Sequence, residues 1–209
     1  VYTFTLRDGV TFHDGSAVTA EDVKYSIERF AENSGESSAF SNLEEVVIAD
    51  DKTVEVRLKE SYSEFLPDLA EAVIIPKAVE DINKTPVGTG PYKFASYTPG
   101  QNVKLEKYDG YWGEKGHLDT AEFKIIADVD TAFMELQAET IDVLNYLTAD
   151  QVAALNDDFN IVEGNMHLVH AMFLNNDFEP FKDVKVRQAM CYAVDRQAIN
   201  DFLFGGKSK

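Results

Sequence analysis

The segment 2–29, YTFTLRDGVTFHDGSAVTAEDVKYSIER, constrains the fold most, because it places a strand pattern, two turn signals and a helix start in close succession. Apolar and polar residues alternate over 2–7, which is the period-2 pattern of a half-buried strand. Asp8-Gly9 indicates a turn, an extended run resumes at 10–12, and Asp14-Gly15 indicates a second turn. We therefore predict a hairpin that leads into a helix.

The helix that follows carries its own start signal. Thr19 is a good N-cap residue, and Asp22 stands three residues later, where a capping box usually has Glu. Val23, Ile27 and Phe30 then recur at helical spacing, which predicts one apolar stripe. The segment should thus bury one face of a capped helix.

The residues of this segment closely resemble the signature of the family 5 extracellular solute-binding proteins, almost position for position. These proteins are the peptide- and nickel-binding subunits of ABC importers. Two later blocks are similar to the same family, in the family's order. They are PVGTGPYKF at 86–94 and FEPFKDVKVRQAMCYAVDR at 178–196. The chain is identified as a member of this family on these three blocks, and the resemblance covers nearly its whole length.

The resemblance implies a mixed α/β fold, in which a lobe of the type II periplasmic-binding-protein class carries a small inserted α/β subdomain. On this basis we assign 1–85 to the small subdomain of the first lobe and 86–175 to its main part. Residues 176–209 are then the start of a truncated second lobe. The ends at Val1 and Lys209 look like cuts within a longer chain, so we expect a fragment.

Further elements follow from local patterns. One hairpin should pair 44–49 with 54–58, and another should turn at Pro99-Gly100. Predicted strands at 123–127, 141–143 and 167–175 alternate with predicted helices at 65–70, at 130–138 and after the cap Thr148. This alternation is typical of an α/β lobe.

Glycine positions give two more expectations. Gly88 and Gly90 lie between prolines, so we predict backbone angles there that only glycine tolerates. Glu139 stands where the resembling family usually has glycine, and we expect the helix at 130–138 to end with a less ideal cap.

The charge balance excludes some partners. There are 37 acidic and 19 basic residues, a net charge of −18, which disfavours nucleic acids and anionic membrane surfaces. Cys191 is the only cysteine, so no intrachain disulfide forms, and we expect it to be a small core residue. No apolar run approaches the length of a membrane span.

No pattern singles out a catalytic, metal or cofactor site. The Gly-Thr-Gly triplet is not a phosphate loop, because Pro91 blocks the helix that would hold phosphate. His167 and His170 would point to opposite faces of a strand and would not chelate together. A carboxylate pair that meets only in the fold stays open. We predict no enzyme, no metal and no cofactor.

The resemblance implies the extracytoplasmic substrate-binding component of an ABC importer, which captures solute between two lobes without catalysis. Its partners would be a peptide or small-molecule ligand and the permease subunits, with no nucleic acid. We expect a periplasmic or lipid-anchored cell-surface protein that binds di- or oligopeptides through main-chain hydrogen bonds. Nickel chelates, oligosaccharides, and a role as the solute-sensing domain of a transcription regulator remain alternatives.

Three residues are candidates for ligand contact: Asn175, where a predicted strand exits, Phe40 in the loop at 33–41, and Phe173. Phe40 would alternatively anchor its loop by burying its ring. Asn175 would alternatively form an Asx turn. Unpaired strand edges can also pair with a second copy, so self-association is a further expectation.

Overall fold

The computed structural model describes residues 1–34, 39–79, 81–164 and 169–207. The chain divides into two compact units, Val1–Ile125 and Ile126–Lys209. The first unit contains two three-stranded antiparallel sheets together with helices. In the described part of the second unit only helices are formed. The helix and strand content is therefore mixed, as the sequence predicts.

The first sheet is built around β3 (Thr53–Leu58), which lies between β1 (Tyr2–Thr5) and β2 (Leu43–Asp50). The hairpin of β2 with β3 confirms the predicted pairing. β1 pairs with β3, and its predicted pairing with the run at 10–12 is wrong. This register sets Tyr2 and Phe4 opposite Val56 and Val54, which groups apolar side chains over one core.

The hairpin that leads into the helix lies one turn later than the alternation at 2–7 suggests. Thr11 forms a single antiparallel bridge with Ala17, and Phe12 donates its N–H to the Ser16 carbonyl at 2.8 Å. Gly15 closes the turn with φ +88°, a left-handed angle that glycine adopts at no steric cost. We refer to residues 10–18 as the 10–18 hairpin.

Helix α1 (Ala20–Asn33) starts at the predicted cap. The Thr19 hydroxyl accepts from the Asp22 N–H at 3.2 Å, and the Asp22 carboxylate accepts from the Thr19 N–H at 2.9 Å. Its stripe packs on the first sheet, together with a 3₁₀ helix at Ala39–Asn42 and α2 (Phe65–Leu69). The buried members of this core are Ala20, Ile27, Phe40, Val46, Val54, Val56, Phe65 and Ala72.

The second sheet has the order β4 (Tyr92–Thr98), β5 (Asn102–Lys107) and β6 (Thr120–Lys124). The hairpin between β4 and β5 turns as predicted, with Gly100 at φ +70°. Gly88 and Gly90 are not among the residues with positive φ, so the prediction of glycine-only angles there is wrong. A Cβ at Gly88 would lie in ordinary contact, 3.6 Å from the His13 Cε1 atom.

The second unit has five described helices, and four of them begin at a side-chain N-cap. They are α3 (Val129–Gln137), α4 (Ala149–Ala153), α5 (Glu179–Lys182), α6 (Val184–Ala193) and α7 (Arg196–Phe204). Thr148 and Gln151 form a complete capping box at the start of α4, as predicted. Within the described ranges, no helix is both long enough and apolar enough to cross a bilayer.

Helix α3 ends in a Schellman motif with Glu139 at the left-handed position. The Thr140 N–H donates to the Glu135 carbonyl and the Glu139 N–H to the Leu136 carbonyl, both at 3.0 Å. Glu139 has φ +56°. A side chain thus occupies the position that glycine fills most easily, and the less ideal cap stays a prediction.

Three predictions for the second unit are wrong in the part that the structure describes. Residues 141–143 and 169–175 form no strand, because no neighbouring strand of the described chain pairs with them. His167 lies outside the described residues. Cys191 is exposed rather than a core residue.

Candidate functional site

Phe40 lies inside the core of the first unit. Its side chain is 5% exposed, and its ring centroid is 4.9 Å from that of Phe30 and 5.6 Å from that of Phe65. The edge-on packing against Phe30 is a favourable arrangement for aromatic pairs. This environment is the one that the anchor alternative requires, and a ligand contact by Phe40 stays a prediction.

Asn175 is an exposed residue in a tight turn ahead of α5. Its Oδ1 atom accepts from the Asp177 N–H at 3.0 Å, and its carbonyl accepts from the Phe178 N–H at 3.1 Å. The first bond is the Asx turn expected for asparagine at such a position. The turn is therefore a local structural role for Asn175, and a ligand contact stays a prediction beside it.

Phe173 is almost fully exposed. Its side chain is 93% accessible to solvent, and the nearby side chains Val169 and Met172 are also exposed. An exposed run of large apolar side chains is a common mark of an interaction site. Phe173 and Asn175 lie in the second unit and Phe40 in the first, so no single unit contains all three candidates.

Sequence analysis did not indicate one long-range contact site in the first unit. His13, at the tip of the 10–18 hairpin, makes three hydrogen bonds with the segment 86–91. Its N–H donates to the Gly88 carbonyl at 2.9 Å, and its Nδ1 atom accepts from the Gly88 N–H at 3.2 Å. Its Nε2 atom lies 3.0 Å from the Gly90 carbonyl oxygen. We call this set of bonds the His13 clasp.

Tyr108 supports the clasp from the end of β5. Its hydroxyl donates to the Phe12 carbonyl at 2.8 Å and lies 2.8 Å from the Thr11 Oγ1 atom. Its ring lies edge-on to the imidazole of His13, with the centroids 5.0 Å apart. The Tyr108 N–H also donates to the Pro91 carbonyl at 2.8 Å. These contacts join the 10–18 hairpin to the segment that precedes β4 and to the residue that follows β5.

The two partners of the clasp stand 75 residues apart in the sequence. His13 and Gly88 each belong to a block that resembles the family, and this coincidence is the only signal that the sequence offered. Hydrophobic period and turn chemistry report on neighbours within a few residues, so neither predicts such a long-range contact.

The clearly perturbed carboxyl groups serve as hydrogen-bond acceptors. The Ser16 hydroxyl and N–H lower the pKa of Asp14, and the Thr131 hydroxyl and N–H lower the pKa of Asp128. A general acid at neutral pH requires a raised carboxyl pKa, which is the opposite direction. These two groups therefore stabilise a turn and a helix start and do not indicate acid–base chemistry.

The residues that the structure describes do not form a metal-binding site. Among them, no three His, Cys, Asp or Glu side chains come together in a way that could hold an ion. A structural or catalytic metal site normally needs at least three protein ligands.

Comparison with known proteins supplies the family. The model for "Bacterial extracellular solute-binding proteins, family 5 Middle" matches residues 1–209. A putative ABC transporter peptide-binding protein of Brucella ovis is 31% identical, over 100% of this chain and 42% of its own length. The chain thus spans less than half of that relative.

Two solved structures are similar in fold. NikZ from Campylobacter jejuni in complex with Ni(L-His) has a TM-score of 0.77 and 31% identity, over 96% of this chain and 43% of that one. The oligopeptide-binding protein AppA from Bacillus subtilis, in complex with a nonapeptide, has a TM-score of 0.73 and 31% identity, over 100% and 45%. These likenesses confirm the predicted fold class.

Proposed function

Because this chain belongs to family 5 of the bacterial extracellular solute-binding proteins, we propose that the intact protein is the substrate-binding component of an ABC importer. The observation that carries this proposal is the family match from residue 1 to residue 209. The protein would capture its solute between two lobes that close about a hinge, and it would catalyse no reaction. Its partners would be the permease subunits of the importer.

Di- and oligopeptides are the ligand class that we propose. The Brucella ovis relative is named a peptide-binding protein, and the similar AppA structure holds a nonapeptide. Extended peptides are recognised mainly through their main-chain groups, with pockets for side chains. Phe173 suits such a pocket because its ring is free of intramolecular burial. Asn175 would place its amide beside the same peptide.

Nickel chelates are the second candidate class. The supporting observation is the TM-score of 0.77 to NikZ in its complex with Ni(L-His). A metal that arrives as a chelate brings most of its own ligands. The site would then need few protein ligands, which agrees with a described chain that groups no three metal-binding side chains.

We place the intact protein outside the cytoplasmic membrane, in the periplasm or anchored to the cell surface by lipid. The support is the family, whose members are extracellular solute-binding proteins. The net charge of −18 carried by this chain repels anionic headgroups and favours solubility.

Calorimetric titration of the intact protein with an oligopeptide tests the contact residues. We expect Phe173→Ala to weaken affinity by about tenfold, as loss of an aromatic interface residue commonly does. Phe202→Ala is the matched control, because it removes the same type of exposed aromatic side chain from a helix outside this run. For Asn175 the test variant is Asn175→Asp, which keeps an oxygen that can accept from the Asp177 N–H but loses the amide NH2, and Asp177→Ala is its control. Equal effects of each variant and its control would contradict the assignment.

A further inference from the structure

The His13 clasp requires one protonation state of the imidazole. The Gly88 N–H can only donate, so the Nδ1 atom, 3.2 Å away, must carry a lone pair. The Gly90 carbonyl can only accept, so the Nε2 atom, 3.0 Å away, must carry the hydrogen. These two bonds select the neutral ring with its proton on Nε2.

Protonation would reverse the role of one ring nitrogen. An imidazolium carries N–H groups at both positions, so the Nδ1–H would point at the Gly88 N–H and the acceptor would be lost. Histidine is the side chain that ordinarily changes charge between pH 5 and 8. We propose that the His13 clasp is sensitive to pH. While the ring is neutral, the clasp holds the segment 86–91 against the 10–18 hairpin, and when the ring takes up a proton this attachment weakens.

Few titratable groups face the imidazole of His13, and neither Tyr108 nor Asp14 replaces the lost acceptor. The segment 86–91, PVGTGP, contains no titratable side chain. On the side of β5 the facing group is the Tyr108 phenol, whose hydroxyl is engaged by Phe12 and Thr11. On the hairpin itself Asp14 attracts a positive ring, but its Oδ1 atom already accepts from the Ser16 N–H and hydroxyl. Attraction to Asp14 also restores no acceptor at Nδ1.

The position of the clasp gives it a structural consequence. The segment 86–91 leads directly into β4, and its Pro91 carbonyl is bonded to the Tyr108 N–H at 2.8 Å. The 10–18 hairpin lies between β1 of the first sheet and α1. Loosening the clasp would therefore weaken the attachment between the two sheets of the first unit.

Amide hydrogen exchange of Gly88, measured by nuclear magnetic resonance in the intact protein at pH 8 and pH 5, tests the proposal. After correction for intrinsic exchange, we expect protection to fall by about tenfold at pH 5, as for a lost hydrogen bond. His13→Asn supplies an uncharged acceptor near the Nδ1 position, so its protection should not depend on pH. His117→Asn removes an exposed histidine and should behave as the wild type.

Three results would overturn the proposal. The first is equal protection of Gly88 at the two pH values in the wild type. The second is a fall in protection that persists in His13→Asn. The third is a ¹⁵N spectrum of the imidazole at pH 8 that shows the proton on Nδ1, because the geometry requires it on Nε2. The wild-type exchange measurement and the spectrum need no variant, so either can overturn the proposal even if His13→Asn fails to fold.

Discussion

Replacing Glu139 by glycine should stabilise the protein. Glu139 has φ +56° at the end of α3, and both Schellman bonds are formed around it at 3.0 Å. The left-handed conformation costs an L-residue roughly 1–2 kcal/mol. Glycine escapes this cost, but its greater freedom in the unfolded chain takes back about 0.4–1 kcal/mol. We therefore expect Glu139→Gly to exceed Glu139→Ala in the free energy of unfolding by about 1 kcal/mol.

The alanine variant is the control because it separates backbone from charge. A glutamate near a helix C-terminus opposes the helix dipole, and both variants remove it equally. In urea unfolding of the intact protein, the expected difference divided by the measured m-value gives the midpoint shift, which is about 0.5 M at an m-value of about 2 kcal/mol/M and smaller at a larger one. A glycine variant no more stable than the alanine variant would show that the left-handed angle of Glu139 carries no cost, and would refute the reasoning.

Three further predictions rest on local contacts. Thr19→Ala removes the hydroxyl that accepts from the Asp22 N–H, and it should lower the free energy of unfolding in urea by about 1 kcal/mol. Thr19→Ser keeps a hydroxyl and should retain most of this stability. Phe40→Ala should lower the free energy of unfolding by about 3–5 kcal/mol, because it empties a buried site; full stability with reduced ligand affinity would instead make Phe40 a ligand contact. The pKa of Asp128 is lowered, chiefly by the hydrogen bond from the Thr131 hydroxyl. The ionised carboxylate therefore stabilises the folded protein fully above the unfolded carboxyl pKa of about 3.9. This contribution is lost as the pH falls through the lower pKa of the folded state. Asp128→Asn should flatten the stability–pH curve in that acid range, and an unchanged curve would contradict this.

Local chemistry was readable from the sequence because its causes lie within a few residues. The capping pairs of Thr19 with Asp22 and of Thr148 with Gln151 are both formed, and the β2–β3 hairpin has the predicted partners. Each of these features depends on groups that the chain brings together without tertiary structure. The less ideal cap at Glu139 was expected instead from the resemblance to the family, which usually has glycine there, and it stays a prediction.

Pairing between segments that are distant in the sequence could not be predicted. Residues 141–143 and 169–175 have strand-like composition, but a strand forms only against a neighbour, and the described chain provides none. β1 pairs with β3 across some fifty positions, while the sequence suggested the nearer run at 10–12. The angles at Gly88 were mistaken because two flanking prolines restrict a segment without requiring positive φ.

The candidate site shows the same limit. Asn175 was predicted from its place after a strand pattern, and the structure shows the local Asx turn that the residue type favours. Phe40 lies in the core because its ring finds Phe30 and Phe65, which no spacing rule connects. His13 acquires its role only through Gly88 and Gly90, far along the chain. Residue type thus indicated local roles, whereas ligand contact requires the assembled protein.

A thermal-shift series on the intact protein tests the proposed function most directly. The ligands would be di- and oligopeptides, nickel chelates and oligosaccharides, each at the same concentration. A ligand that binds only the native state raises the melting temperature by mass action. The account predicts a concentration-dependent rise with peptides. Cooperative melting with no rise for any peptide would contradict it, and a rise with nickel chelates alone would transfer the assignment to the second candidate class.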